Sequence, residues 1–549
     1  MSFASTMMDV PLQVRRLLEH GTRIHGSSRV VTATDDGIRT RTFAETGARA
    51  AQLAHGLRDL GIGAGDRVGT FLWNNDRHVE AYLAVPSMGA VVHPLNIRLF
   101  PEQLIFTANH AVDRVIIVDD SLVPGFAKLL PALPKVEHVI VAGDRADLAV
   151  FDDLDVAVLS YEELIKDRET TYDWPDVDER SGAAMCYTSG TTGEPKGVVY
   201  SHRSIYLHAL GESLPDVFGL SSRDLILGVV PQFHVLAWGL PYAAFATGCS
   251  MAMPDRFLAP EPLARFIAEA RPNKGAGVPT VWAGLLQYLA ANPDADVSSL
   301  EELVVGGSAL PPGMLRAYGD RGITMVHAWG MTEMSPLGTL ARPPAGAAEV
   351  DVERYRLSQG RFVASVEPRL IGPDGAVLPW DDESVGELEV RGPWVADAYY
   401  GVDDQEKFHD GWLRTGDVGV ISPDGYLRLT DRSKDVIKSG GEWISSVELE
   451  GQLAAHPDVV EASVVGVPDE KWGERPLAAV VVREGATITF EELREFLTGK
   501  VARWQLPERW TIVAEIPKTS VGKFDKKRLR RSYREQELDV TTLGADHDQ

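Results

Sequence analysis

The spacing of apolar residues changes repeatedly along this chain, and each change marks the edge of an element. Residues 10–24 read as an amphipathic helix, with Val10, Leu12, Val14, Leu17 and Leu18 among its apolar positions. Residues 30–43 surround Asp35-Asp36-Gly37 with strand-like sequence, which predicts a hairpin. Helical spacing returns with Ala48, Ala51, Leu53, Ala54 and Leu57, and Gly61 marks the expected end of that helix. A strand at 67–73 and a helix at 77–88 follow. Short apolar runs at 91–92, 114–118, 138–142, 224–230 and 303–307 then alternate with helical stretches such as 260–270. Alternation of this kind predicts an α/β fold of layered, largely parallel sheets.

The texture changes near Arg361. Short strands punctuated by Asp374-Gly375, Asp410-Gly411 and Asp424-Gly425 predict a β-rich subdomain over about 361–431. Beyond it, a helix at 446–455, strands at 461–467 and 477–482 and a helix at 490–497 predict a smaller α+β unit. The expected organisation is a large N-terminal domain, 1–431, and a small C-terminal domain, 432–549. The polar, acidic tail 536–549 is expected to fray.

Composition narrows the function. A chain of 549 residues, 44% hydrophobic, can bury a large core, and its net charge of −25 argues against a nucleic-acid groove. Two cysteines, Cys186 and Cys249, exclude a disulfide framework and a Cys-rich metal site. The N-terminus has neither a basic start nor a continuous apolar run, so no signal peptide and a cytoplasmic location are expected. Residues 225–254 carry no Asp, Glu, Lys or Arg, yet Pro231, Gln232, His234, Gly239, Pro241, Thr247 and Gly248 interrupt them. That segment reads as an interior strand, loop and core helix rather than a membrane span.

Candidate chemistry centres on Tyr187-Thr-Ser-Gly-Thr-Thr-Gly-Glu-Pro-Lys-Gly197, flanked by apolar residues that predict a strand on either side. Gly190, Gly193 and Gly197 permit backbone angles that point successive N–H groups into one concavity. Thr188, Ser189, Thr191 and Thr192 add hydroxyls and Lys196 a mobile positive charge, which together suit a polyphosphate. It is not a Walker A loop, because Pro195 stands where the second glycine belongs. Four further strings follow in order: Pro231-Gln-Phe-His234, His327-Ala-Trp-Gly-Met-Thr-Glu333, Gly411-Trp-Leu-Arg-Thr-Gly-Asp417, which sets an Asp at the end of a short strand, and Asp431-Arg-Ser-Lys-Asp-Val-Ile-Lys-Ser-Gly-Gly-Glu-Trp443. Near the end, Pro517-Lys-Thr-Ser-Val-Gly-Lys523 precedes a basic helix at 526–531.

These strings, in this order and across the whole chain, resemble the acyl-adenylate-forming superfamily of acyl-CoA synthetases, peptide-synthetase adenylation domains and beetle luciferases. Within it, YTSGTTGEPKGVVYSHRS, FHVLAWGLPYA and SGGEWISSVELE resemble medium- and long-chain fatty acyl-CoA synthetases, and also ligases for short thioether carboxylates. The resemblance implies a large N-terminal domain with a small, mobile α+β lid. It also implies a reaction in which a carboxylate attacks the α-phosphorus of ATP and CoA then takes the acyl group from the adenylate.

The same resemblance assigns roles. The 188–197 loop holds the β- and γ-phosphates, and Thr188 and Glu333 face Mg²⁺. Gly306, Gly307, Ser308, Ala328 and Trp329 frame the adenine, with Gly330, Met331 and Thr332 continuing that wall; the family more often has Tyr at the Trp329 position. Asp417 accepts ribose hydroxyls, Arg432 adds a charge-assisted contact, and Lys523 neutralises charge at the α-phosphate. Lys434 is the hinge, and Lys438, Gly440, Gly441, Glu442 and Trp443 belong to the segment that turns toward CoA. His234 lies by the acyl carboxylate, Trp238 gates the acyl tunnel, and Val278, Pro279, Thr280, Val281 and Trp282 line it. Lys518 and the 526–531 cluster are expected to be surface. A homodimer is expected, and peripheral contact with membranes that supply fatty acids is compatible with the sequence. Rival readings are a branched- or aromatic-acid ligase, an enzyme loading a carrier protein, a luciferase-like monooxygenase and a catalytically silent ATP sensor. The 440–443 sequence favours CoA over a carrier.

Overall fold

The first helix starts later than its apolar spacing predicts. It runs Val14–Ile24, with Gln13 extended as its N-cap, and leaves Val10 44% exposed. Pro11 pushes Val10 out of the helical region, and Leu12 N donates to Glu179 Oε2 (2.8 Å). The computed structural model describes residues 5–143, 148–154, 156–188, 194–432, 435–439, 442–483, 485–518 and 524–543.

The expected hairpin pairs Arg29–Thr34 with Gly37–Thr42. Thr42 then ends the strand and caps the next helix, Phe43–Asp59, because its hydroxyl accepts from Glu45 N (3.1 Å) while Glu45 accepts from Thr42 N (2.7 Å). That helix buries Phe43, Ala50, Leu53, Ala54 and Leu57.

The chain forms two compact units, the larger taking residues up to 367 with 391–413, the smaller 368–390 and 414 onward. Two sheets build the larger unit. Among the described residues the first has seven strands in the order Ala157–Ser160, His138–Ala142, Asp113–Asp119, Arg67–Phe71, Val91–Pro94, Gly182–Tyr187, Gly197–Ser201, parallel until the last pair. The second includes Thr324–Gly330, Glu302–Val305, Lys274–Gly277, Leu225–Gly228, Ser250–Met253 and Arg29–Thr34, also parallel, with Gly37–Thr42 at its edge. The uncharged segment is interior, as expected: its strand, its turn Val235–Gly239 and its helix Leu240–Thr247 are almost wholly buried. No described helix is long and apolar enough to cross a membrane.

The Asp-Gly pairs mark real turns. His409 pairs with Trp412 across Asp410 and Gly411, whose φ of 50° and 73° are both left-handed. In the smaller unit, the helices Ser446–Ala454 and Phe490–Leu497 pack Leu449, Leu453, Leu493 and Leu497 around Trp510 and strands that include Val459–Asp469 and Gly473–Val482. The tail expected to fray from 536 is instead docked through 543. Thr541 and Thr542 pair with Trp510 and Arg509, Leu543 N donates to Glu508 O (2.8 Å), and Leu538 and Val540 pack on buried apolar residues. The overall polarity of this tail hid three apolar residues, Leu538, Val540 and Leu543, that pack on the core. Residues 544–549 lie outside the described residues.

Candidate active site

The Gly/Thr-rich loop leaves the edge of the first sheet between the antiparallel strands Gly182–Tyr187 and Gly197–Ser201. Its tip, Ser189, Gly190, Thr191, Thr192 and Gly193, lies outside the described residues. The neck is closed by Thr188 N donating to Lys196 O (2.9 Å) and Lys196 N donating to Thr188 Oγ1 (3.2 Å). A Cβ on Gly197 would come within 2.5 Å of Met185 Cε and 3.2 Å of the Tyr187 ring, so these two side chains pack directly on the glycine where the loop returns. Cys186 is buried and its thiol pushed up to about 12 by that burial, so it serves as a small apolar residue and not as a nucleophile.

Glu333 follows the strand Thr324–Gly330 in a tight turn. A Cβ on Gly330 would stand 1.8 Å from Pro336 O, which explains the glycine there, and Met331 N donates to that same oxygen (3.1 Å). Only 5% of Glu333 is exposed, and its Oε1 accepts from the Tyr399 hydroxyl at 2.5 Å. Tyr200 donates to Thr332 O (2.7 Å), tying this turn to the strand that leaves the loop. The Lys196 ammonium lies 2.6 Å from Asp404 Oδ2 and 4.8 Å from the centre of the Tyr399 ring. Its hydrogen bond holds the Asp404 carboxyl below the ordinary carboxylate range, whereas burial and then Glu333 push the Tyr399 phenol well above its own. Tyr399 and Asp404 were missed from the sequence; the only signal was a tyrosine pair and an acidic pair standing together, Tyr399-Tyr400-Gly401-Val402-Asp403-Asp404. Hard oxygen donors, the Thr188 hydroxyl and the Glu333 carboxylate, are a chemical match for Mg²⁺.

A second group converges at the end of the strand Glu302–Val305. A Cβ on Gly306 would meet Ala328 O at 3.0 Å and Trp238 Cη2 at 3.2 Å, and one on Gly307 would meet Val278 Cγ1 at 3.3 Å. Trp238, Val278, Ala328 and the two glycines are therefore neighbours. His327 steadies this corner, with Nδ1 2.7 Å from Ser358 O and Nε2 3.3 Å from Ser308 O. Pro279 is buried at the start of the helix Pro279–Ala291, and Thr280 is exposed. Trp282, expected to line the tunnel with them, is instead wholly buried in the core beside Leu285 and Leu303, because its ring fills the space left by Gly275 and Gly277. The Trp329 ring lies against Gly338 and edge-on to Phe362 at 6.3 Å.

His234 is half-buried and opens the turn that carries Trp238. Val235, Leu236, Ala237 and Trp238 all have φ between 46° and 58°, a left-handed run that non-glycine residues adopt only under constraint. Beneath Gly239 lie two buried groups, His208 Nδ1 at 2.7 Å and Glu212 Oε2 at 3.1 Å from the position a Cβ would take. Leu337 N donates to His208 Nε2 (3.2 Å), which leaves the ring proton on Nδ1. Burial lowers His208 to about 3 and raises Glu212 well above the ordinary carboxylate value, so burial disfavours charge on both members of this 4.0 Å contact.

In the smaller unit, Asp417 sits within the strand Trp412–Ile421 rather than at the end of a short one. The strand continues because its backbone pairs with Tyr426–Arg432, Asp417 lying opposite Arg432. Asp417 is buried, and its N donates to Thr415 Oγ1 (3.0 Å). Lys434, Gly440, Gly441 and Lys523 lie outside the described residues, as do the side chains of Arg432, Lys438, Glu442 and Trp443. Lys526, expected at the surface, is 11% exposed and bonded to Ser446 Oγ (2.6 Å) and Glu450 Oε1 (2.9 Å); it fastens the last helix to the helix Ser446–Ala454. Lys518 is outward as expected, against Glu461.

Residues 19–400 match the AMP-binding enzyme family, and residues 448–523 match the AMP-binding enzyme C-terminal domain. The 3-methylmercaptopropionyl-CoA ligase of Ruegeria lacuscaerulensis is 44% identical over 96% of this chain and 98% of its own length. The medium-chain-fatty-acid–CoA ligase of Ectopseudomonas oleovorans is 43% identical over 96% of this chain and 97% of its own. Among solved structures, an anthranilate CoA ligase in complex with anthranoyl-AMP superposes with a TM-score of 0.85 at 26% identity, covering 96% of this chain and 99% of that one.

Proposed function

Because the chain belongs to the AMP-binding enzyme family and is an ATP-dependent, AMP-forming acid–CoA ligase, we propose that the acid it activates is a medium- to long-chain fatty acid. The observation that carries this reading is the uncharged corner where Trp238 and Val278 meet Gly306 and Gly307, behind which residues 225–254 hold no charged side chain. A tail bearing a second charge would be desolvated there without a partner.

In the first half-reaction the acid's carboxylate oxygen attacks the α-phosphorus of ATP and pyrophosphate leaves. Lys196 and the loop from Thr188 bind the departing phosphates. The buried Glu333 carboxylate and the Thr188 hydroxyl would hold Mg²⁺, which supplies charge neutralisation on the pyrophosphate side. Lys523 would stabilise the charge that builds on the α-phosphate, Asp417 would accept the ribose hydroxyls, and Trp329 would offer the purine a flat apolar wall. In the second half-reaction the CoA thiolate attacks the acyl carbonyl and AMP leaves. We place the moving boundary between 1–431 and 432–549 with its pivot at Lys434, so that Lys523 withdraws as the 439–443 segment approaches CoA.

A short thioether acid is the second reading, favoured by the Ruegeria relative named for 3-methylmercaptopropionate at 44% identity. Pyrophosphate release with ATP and magnesium across straight-chain acids of rising length and 3-methylmercaptopropionate, with and without CoA, separates the two. CoA-dependent turnover peaking at medium or long chains is expected. A peak at the thioether acid would replace the fatty-acid reading, and release indifferent to CoA would point to a carrier protein as the acyl acceptor.

A further inference from the structure

We propose that Tyr399 and Asp404 are positioning residues for adenylation, holding Glu333 and Lys196 apart and in place for the terminal phosphates of a magnesium nucleotide. This rests on the ligase reading above. Lys196 and Glu333 carry opposite charge and serve one ligand. Left to themselves, a flexible ammonium and a buried carboxylate would pair directly, and neither would then be available to the nucleotide. The Tyr399 side chain prevents that by standing between them. Its hydroxyl donates to Glu333 Oε1 at 2.5 Å, and its ring face holds the Lys196 ammonium 4.8 Å from its centre. Asp404 completes the arrangement by giving the ammonium a carboxylate partner of its own at 2.6 Å.

The backbone around these residues is fastened at the same two places. Ala396 N donates to Glu333 O (2.7 Å), and Tyr400 N donates to Gly197 O (2.8 Å), the residue next to Lys196. One short segment therefore holds the side chain of each binding group and the main chain at Glu333 and beside Lys196. The Lys196 side chain remains 41% exposed, so its ammonium can turn from Asp404 toward an incoming phosphate without a buried charge being stripped of its partner.

The test measures both half-reactions in the full-length protein for wild type, Asp404→Asn, Asp404→Glu and Tyr399→Phe. Asp404→Asn is expected to raise the KM for ATP about three- to fivefold, with Asp404→Glu restoring it, as loss of one partly exposed charge contact allows. Tyr399→Phe keeps the spacer and loses the hydrogen bond, so pyrophosphate release is expected to fall about tenfold. Calorimetric titration should show weaker binding of ATP with magnesium to both Asp404→Asn and Tyr399→Phe. Thioester formation from a supplied acyl-adenylate and CoA does not use the β- and γ-phosphates and is expected to match wild type in every variant. A parallel loss of both half-reactions would reduce these residues to fold support and overturn the proposal. Unchanged nucleotide binding and KM would overturn it too. Wild type that performs neither half-reaction would overturn the ligase reading and this inference with it.

Discussion

Glu333 shows how far a single residue can be read. Its string of neighbours marked it as a candidate metal ligand, yet its burial and its bond to Tyr399 come from a residue 66 positions away. Replacing it with Gln keeps the shape and removes the charge; pyrophosphate release is expected to fall about a hundredfold, while thioester formation from supplied adenylate persists. Glu212 carried no sequence signal at all, because a carboxylate late in a helix is ordinarily a solvated one. Here burial raises its folded pKa above the ordinary 4.5, so its contribution to stability is fully present below pH 4.5 and is lost as pH rises toward the folded value. His208 beside it works in the opposite sense, stabilising above its ordinary 6.5 and losing that contribution as pH falls toward about 3. Cys249 also feels the Glu212 carboxylate, and burial first of all raises its thiol. Glu212→Gln is therefore expected to melt higher than wild type at pH 8, with the gap closing toward pH 5; thermal unfolding across that range measures it.

At the scale of elements, local rules worked where the chain obeys them without help. The capping box at Thr42 and Glu45 was written in the sequence as a hydroxyl and a carboxylate three residues apart before an apolar run, and Thr42→Ala is expected to cost about 1 kcal/mol in urea unfolding. The first helix and the tail escaped for opposite reasons. Apolar spacing extends to Val10, which Pro11 keeps out of the helical region, so the spacing alone overstates the helix. The tail's acidic composition concealed Leu538, Val540 and Leu543, whose burial exists only because the strand Arg509–Ile512 offers an edge and a core beside it. Truncation after Gln536 is expected to lower the melting temperature of the smaller unit and raise hydrogen exchange in Arg509–Ile512, leaving the larger unit's exchange unchanged.

For the whole molecule, the division of labour between half-reactions gives the broadest prediction. Lys523→Ala is expected to lower pyrophosphate release at least a hundredfold and to leave conversion of supplied acyl-adenylate and CoA close to wild type, because that lysine is assigned to the α-phosphate alone. Single-turnover assays of each half-reaction check it. What the sequence by itself determined was the α/β alternation, the Asp-Gly turns, the interior character of 225–254 and the ordered motifs of an adenylate-forming enzyme. All of these are local: backbone periodicity, turn chemistry and a Gly/Thr-rich loop depend on residues a few positions apart. The tertiary structure alone decided that Lys196 meets Asp404 across 208 positions, that Trp238 and Val278 close on Gly306 and Gly307, and that Trp282 turns into the core. Those contacts depend on which strand ends the sheets bring together and on which side chains fill the spaces left by glycines. Neither is written in the spacing of any one segment.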